Sequence, residues 1–272
     1  HGTAMASFLV AHDYGVAPDA TLLTYQTSTD RDISDGSCEN PGGRRHNSIS
    51  TLIDQAIDDG AQIISLSEDS PGSSDSLKWA IARAMSRGVI IVNSAGNTGA
   101  DNNSNQLSKW SGVVGVAAIT ADGQRASYSS WGNGVTTAAF GNPVASRNYE
   151  TGKIEDTNGT SNSAALVSGM LALARQKWPN TTPNQTLQVL VATGLNPNHE
   201  WNPYTGYGAI NGGALVNTDP SQYPDENPLA QKEGGLLRRC RRFRTMPMAW
   251  WSLTPIPWIG PTCIAVSMRQ PP

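Results

Sequence analysis

The sequence predicts an α/β fold, a doubly wound and mostly parallel sheet with flanking helices, and three observations carry that prediction. Short apolar runs recur along the chain, segments with helical spacing separate them, and glycines stand where those helices should end. Thr21-Leu22-Leu23-Thr24-Tyr25 is the first such run. Gln62-Ile63-Ile64-Ser65-Leu66, Val89-Ile90-Ile91-Val92 and Val113-Val114-Gly115-Val116-Ala117 follow, each of the apolar kind that a parallel sheet covered on both faces requires. Between the first two, Leu52, Ile53, Ala56 and Ile57 repeat at helical spacing behind Ser48 and Ser50. Leu77, Ala80, Ile81 and Ala84 do the same within Ser74–Arg87, and Gly60 and Gly88 sit where a helix end needs a left-handed residue. Strand and helix in alternation imply right-handed crossovers, and ligands of such sheets bind beyond the carboxyl ends of the strands. Asn97 stands just past one of those ends.

Farther along, Ala164, Val167, Leu171 and Ala174 form an apolar stripe on a helix from Ser161 to Lys177, small enough throughout to lie buried, and Pro179 stops it. A second helix over Asn184–Thr193 starts behind Pro183, and Tyr204–Asn211 reads as a turn and a closing strand. Pro220, Pro224 and Pro228 among acids and amides read as a linker, giving a domain over 1–217, a Pro-rich linker over 218–235 and a basic tail over 236–272.

The bulk numbers exclude several classes. With 272 residues, 38% hydrophobic and 15% charged, the chain suits one sizeable globular domain rather than a disordered polymer. It shows neither an apolar run long enough to span a membrane nor a basic segment leading into an apolar one. Cys38, Cys240 and Cys263 are odd in number and lack metal-type spacing, which argues against a disulfide framework or a zinc site. His12, His46 and His199 have no partner at metal spacing either and are expected on surface loops. The formal net charge of −3 hides two unlike parts, −9 over residues 1–234 and +6 beyond. Arg238, Arg239, Arg241, Arg242 and Arg244 form a basic run, but a run without a folded reader is more often solvated, and no nucleic-acid partner is expected. The tail, with Trp250-Trp251 and Trp258 among prolines, lacks helical or strand period and is expected to be disordered or aberrant.

Three short segments carry chemistry. A serine hydroxyl is a weak nucleophile until an imidazole takes its proton, and a serine at a helix start gains from the helix dipole and from free backbone N–H groups. Ser161 has that setting, His1 supplies an imidazole, and the carboxamide of Asn97 suits an oxyanion. Taken singly each has a plainer reading: Ser161 as a helix N-cap, Asn97 as a turn residue, His1 as an unrestrained terminus.

Together the segments resemble the subtilisin-like serine proteases, over about residues 1–217. The motifs fall in that family's order: His1-Gly2-Thr3-Ala4-Met5-Ala6, Gly15-Val16-Ala17-Pro18-Asp19-Ala20, Ile63-Ile64-Ser65-Leu66-Ser67, Ala95-Gly96-Asn97 and Gly159-Thr160-Ser161-Asn162-Ser163-Ala164-Ala165. The resemblance implies a subtilisin-like fold without its first strands, with His1 as general base, Ser161 as nucleophile and Asn97 as oxyanion donor. It also implies a substrate-binding stretch of Ser67, Glu68 and Asp69 facing Ser94, Ala95 and Gly96. The aspartate that orients the base precedes the histidine in the family, and Asp13, Asp19, Asp30, Asp32 and Asp35 all follow it, so none is nominated. In a Ser-His-Asp enzyme, replacing that aspartate costs about 10⁴ in turnover, and the chain as given is expected to be inactive or barely active.

The sequence departs from the family at Asn162, usually Met, at Ala165, usually Pro, and at Glu68-Asp69, usually Leu-Gly. Ala4 and the pair Ser67-Glu68 resemble the mycosin branch, which accompanies type VII secretion in actinobacteria. Two acids on the pocket wall would favour a basic or polar substrate residue, unless they are a simple loop pair. No cofactor is required by the resemblance. Asp30, Asp32 and Asp35 suggest calcium, which many members bind, although their spacing fails the EF-hand pattern. The expected partner is a protein or peptide substrate, and the expected location is outside the cell or at a bacterial envelope. The alternative is an inactive fragment or pseudo-protease that binds peptides. A nucleotide-binding reading has no support, since no Gly-x-Gly-x-x-Gly follows a first strand, and neither has a lipase, since no Gly-x-Ser-x-Gly surrounds Ser161.

Overall fold

The structure, a computed structural model, describes residues 1–25, 48–67, 74–101, 107–148, 151–230 and 232, together with the backbone of 263–267. Asp30, Asp32, Asp35, Cys38, His46, Glu68, Asp69, the arginine run and the tail tryptophans lie outside the described residues.

The elements follow the predicted alternation. Helix α1 (Gly2–Val10) leads to β1 (Thr21–Tyr25), α2 (Ile49–Asp58) to β2 (Ile63–Leu66), and α3 (Asp75–Ser86) to β3 (Ile90–Ser94). Ser48 and Ser74 cap α2 and α3 by accepting from the N–H groups of Thr51 and Leu77. Gly60 and Gly88 leave the two helices at φ +84° and +72°, as a left-handed exit requires. Strands β4 (Val113–Thr120) and β5 (Val135–Asn142) come next, then a hairpin of β6 (Val144–Arg147) and β7 (Ile154–Thr157) that no sequence signal announced. Helix α4 (Thr160–Lys177) is followed by α5 (Pro183–Ala192), held by a capping box of Thr182 and Gln185, and by the short α6 (Gly212–Asn217).

The six-stranded sheet runs β1-β8-β2-β3-β4-β5, where β8 is Cys263–Ser267. Strands β2 to β5 pair in parallel, whereas β8 is antiparallel to both β1 and β2. A strand of period two sends neighbouring residues to opposite faces. Ile63, Ile90, Val92 and Val114 thus join one core with α1, α4 and α5, while Ile64, Ile91 and Val113 join the other with α2 and α3. Arg83 on α3 ties the second layer together through Asp54 and Asp58 on α2. Helix α4 is enclosed almost all round and packs against α1 and the strands β2 to β5, which its Ala, Ser and Gly positions permit.

Two expectations are modified. Tyr204–Asn211 is not a continuous strand: Tyr207 and Ile210 donate to Thr136 and Ala138 on β5, but Gly206 and Gly208 turn the backbone through positive φ and leave a single bridge to β5, Ala138 to Ala209. The stretch that reads as a linker lies against the domain, with Pro220 and Leu229 buried, because its few apolar side chains complete the α1/α4/α5 core. Of the tail, only Cys263–Ser267 is described, and it is a strand.

Candidate active site

Three elements bring the candidate residues together. His1 is the residue before α1, and its carbonyl accepts the first helical bond, from Met5. Ser161 is in the first turn of α4, and Asn97 follows β3 across the Ala95-Gly96 bend. That bend needs glycine: Gly96 stands at φ +97°, its N–H donates to the Thr160 hydroxyl and its carbonyl accepts from Ser130. The hairpin β6–β7 delivers the chain into α4, where Asn162 donates from Nδ2 to the Thr157 hydroxyl at 3.0 Å. The Gly159 N–H then donates to Gly141 at the end of β5, at 3.0 Å.

The resulting cleft, of about 330 Å³, is lined by His1, Ser67, Ser94, Gly96, Asn97, Thr98 and Ser161. Ser67 is its hub. Its carbonyl oxygen accepts from the Ser161 hydroxyl at 3.1 Å and lies 3.2 Å from His1 Nε2. Its own hydroxyl donates back to the Ser161 carbonyl at 3.2 Å. In this resting arrangement the nucleophile candidate and the base candidate share one acceptor rather than bonding to each other. Ser161 is buried and the His1 ring is exposed.

Asn97 has a fixed orientation. Its Oδ1 accepts from both the backbone N–H and the hydroxyl of Thr160, at 2.9 Å each. A backbone N–H can only donate, so the amide oxygen faces Thr160 and Nδ2 is left for the cleft. A point at the Cβ direction of Gly159 lies 3.7 Å from Asn97 Nδ2, 3.7 Å from the Ser161 nitrogen and 3.9 Å from Asn97 Oδ1, whose lone pairs are engaged by Thr160, so two donors border one small space. With the positive end of the 18-residue helix α4 behind them, they form a setting for negative charge.

Of the residues named from sequence, His1, Ser67, Ser94, Gly96, Asn97 and Ser161 share the cleft. Ala95 does not line the cleft but lines a smaller cavity with Ser108, Trp131 and Gly134. Thr98 carries no sequence signal of its place here, and neither do the anchoring of Asn97 by Thr160 and the double hold of Ser67 on Ser161; no periodicity marks such contacts. Among the described residues no carboxylate reaches the His1 ring, and no group of His, Cys, Asp and Glu is placed to hold a metal ion.

Comparison with known proteins bears on the family and the fold. Residues 1–208 match the subtilase family model, peptidase S8. The thermostable alkaline protease of Halalkalibacterium halodurans is 33% identical over 79% of the chain, which spans 56% of that protein. Mycosin-1 of Mycolicibacterium smegmatis is 28% identical over 86% of the chain, which spans 63% of it. The crystal structure of MycP1 with its N-terminal propeptide removed superposes with a TM-score of 0.67 at 28% identity, covering 83% of this chain and 81% of that one. The chain spans little more than half the length of the alkaline protease it matches. An α/β sheet whose strand ends carry an asparagine, and whose central helix opens with Gly-Thr-Ser, is thereby placed: the chain belongs to the subtilase family.

Proposed function

We propose that the domain is a serine endopeptidase with Ser161 as nucleophile, His1 as general base and Asn97 as oxyanion donor. The observation that supports this best is the fixed Asn97 amide, whose free Nδ2 and the Ser161 N–H border one space at the start of α4. The Ser161 hydroxyl leaves the Ser67 carbonyl by rotation about its Cα–Cβ bond, gives its proton to His1 Nε2 in the tautomer that carries the ring hydrogen on Nδ1, and adds to the peptide carbonyl carbon. The two donors hold the oxyanion, the imidazolium returns the proton to the leaving amine, and water cleaves the acyl-enzyme by the reverse sequence. His1 Nε2 and the Ser161 hydroxyl lie 3.2 Å and 3.1 Å from the same Ser67 carbonyl oxygen.

The substrate is a protein or peptide laid along Ser67 and Ser94–Asn97, with Glu68 and Asp69 favouring a basic or polar side chain. The enzyme would work outside the cell or at a bacterial envelope. No helix among the described residues is long and apolar enough to cross a membrane.

A second reading, a module that binds peptides without cleaving them, is favoured by one observation: the Ser161 hydroxyl donates to Ser67 and not to His1. Labelling by a serine-directed fluorophosphonate separates the two. Labelling that disappears in Ser161→Ala supports the enzyme. A folded chain that resists the reagent yet holds a peptide aldehyde in Ser161→Ala supports the module.

A further inference from the structure

Lys232 is the one Lys, Arg, Asp or Glu side chain among the described residues that is buried, at 6% exposure. Its Nζ lies 2.6 Å from the Gly134 carbonyl, 2.7 Å from the Thr136 hydroxyl, 2.9 Å from the Val113 carbonyl and 3.1 Å from the Ser108 carbonyl. An ammonium has three protons, and here it faces four neutral oxygens. More acceptors than protons is the environment of an ion in an oxygen cage, like the carbonyl rings that coordinate bare monovalent cations.

The cage is assembled from the two connections that enter neighbouring strands. Ser108 lies in the turn Leu107–Lys109, Val113 begins β4, Gly134 precedes β5 and Thr136 is its second residue. The segment carrying Lys232 is seated on the same connection, for Asn227 Nδ2 donates to the Ser111 carbonyl at 2.7 Å and Leu229 is fully buried. Ser108 and Gly134 also line a small cavity together with Ala95. Ala95 is bonded to β4 through Val116 and runs directly into Gly96 and Asn97.

We propose that Lys232 is a positioning residue of the cleft, a tethered monovalent cation that draws Ser108, Val113 and Gly134 together and so fixes the wall against which Ala95–Asn97 rests. The proposal deepens the protease reading and rests on it for its effect on catalysis alone. Wall and chemistry are therefore measured separately.

The test is hydrogen exchange by mass spectrometry on the full chain at pH 6, where the ammonium keeps its proton, comparing wild type with Lys232→Met and Lys232→Ala. Exchange in Lys232→Met is expected to rise about tenfold in residues 94–98, 107–116 and 132–137 and to stay constant in α5, as a local opening demands. In Lys232→Ala the vacated cage can take a small cation, so ammonium or potassium chloride restores protection and tetramethylammonium chloride at equal ionic strength does not. Unchanged exchange, an equal rise in α5, or indifference to the cation overturns the proposal. Should Lys232→Met fail to fold, refolding of Lys232→Ala gives the same contrast: recovery in ammonium but not in tetramethylammonium supports the cage, and failure in both salts counts against it. Fluorophosphonate labelling of Ser161 supplies the catalytic arm, with binding weakened in Lys232→Ala, the chemical rate constant kept, and affinity returned by ammonium. A wild type that exchanges as expected but is never labelled refutes the protease reading, and the exchange data then decide the role of Lys232 by themselves.

Discussion

Asn97 is clamped through its oxygen by two donors of Thr160, and its nitrogen is what remains for a substrate. Loss of a single oxyanion donor typically costs about 10²–10³ in rate. Asn97→Ala is expected to slow fluorophosphonate labelling of Ser161 within that range, while Asn97→Asp, which keeps the Thr160 bonds but offers no N–H, slows it as much at nearly unchanged thermal stability. Equal labelling of Asn97→Asp and wild type would remove Asn97 from the oxyanion role. Lys232 yields a prediction of another kind. Burial brings its ammonium from the ordinary 10.5 down to about 7. Between those values the unfolded chain holds a proton that the folded chain has released, so the unfolded state binds more protons and rising pH favours the fold. The stability of wild type relative to Lys232→Met should therefore climb from pH 7 toward pH 10, by at most about 1.4 kcal/mol per pH unit, in parallel urea titrations. A flat difference would mean that the side chain stays charged in the fold. Asn97 is legible in the sequence because its Gly-Asn turn follows an apolar run. Lys232 is not, because its cage comes from the carbonyls of Ser108, Val113 and Gly134 and the hydroxyl of Thr136, scattered positions whose backbone oxygens leave no trace in residue type.

Helix α4 is legible almost to the residue, since its apolar and small positions repeat at helical spacing and Pro179 closes it. The elements that aim it are not. Strand β5, with the sequence Val-Thr-Thr-Ala-Ala-Phe-Gly-Asn, mixes small and polar residues and has no alternation, while the hairpin β6–β7 is too short and polar to declare itself. Yet the end of β5 determines where Ser161 sits. A Cβ on Gly141 would stand 2.5 Å from the Ser163 hydroxyl, 2.8 Å from Ala118 and 2.9 Å from the Gly159 carbonyl, too close for any of them. Gly141→Ala should cost about 1–3 kcal/mol by overpacking and, by displacing the turn before Ser161, also slow its labelling. Leu171→Ala, farther along the same helix and fully buried, should cost about 2–5 kcal/mol yet leave the labelling rate per folded molecule unaltered. The pair tests whether α4 transmits position or only stability; identical labelling of both variants would show that the Gly141 contact does not aim the serine.

At the scale of the molecule, the doubly wound plan is legible because four apolar runs alternate with helices, whereas the sheet order is not. Nothing in residues 236–272 marks Cys263–Ser267 as a strand, and its place is set by the backbone edges of β1 and β2, which both pair with it. Without β8 those two edges would offer unpaired N–H and C=O groups to another chain. Removal of residues 263–267 is expected to raise self-association, read by light scattering or sedimentation, and a monomer of unchanged stability would show that β8 does not bind the sheet together. The Pro-rich stretch after α6 bears on the same point, for its Leu229 seals the core on the face opposite α2 and α3. The antiparallel pairing of Thr21 with Ser267 also has a consequence in time. Contacts spanning roughly 240 residues carry a large loop-closure cost and form late. During synthesis on a ribosome, β1 and β2 would emerge and wait through the making of every other element, so the exposed pair of edges is a hazard for the nascent chain that chaperones, rather than the fold itself, must cover.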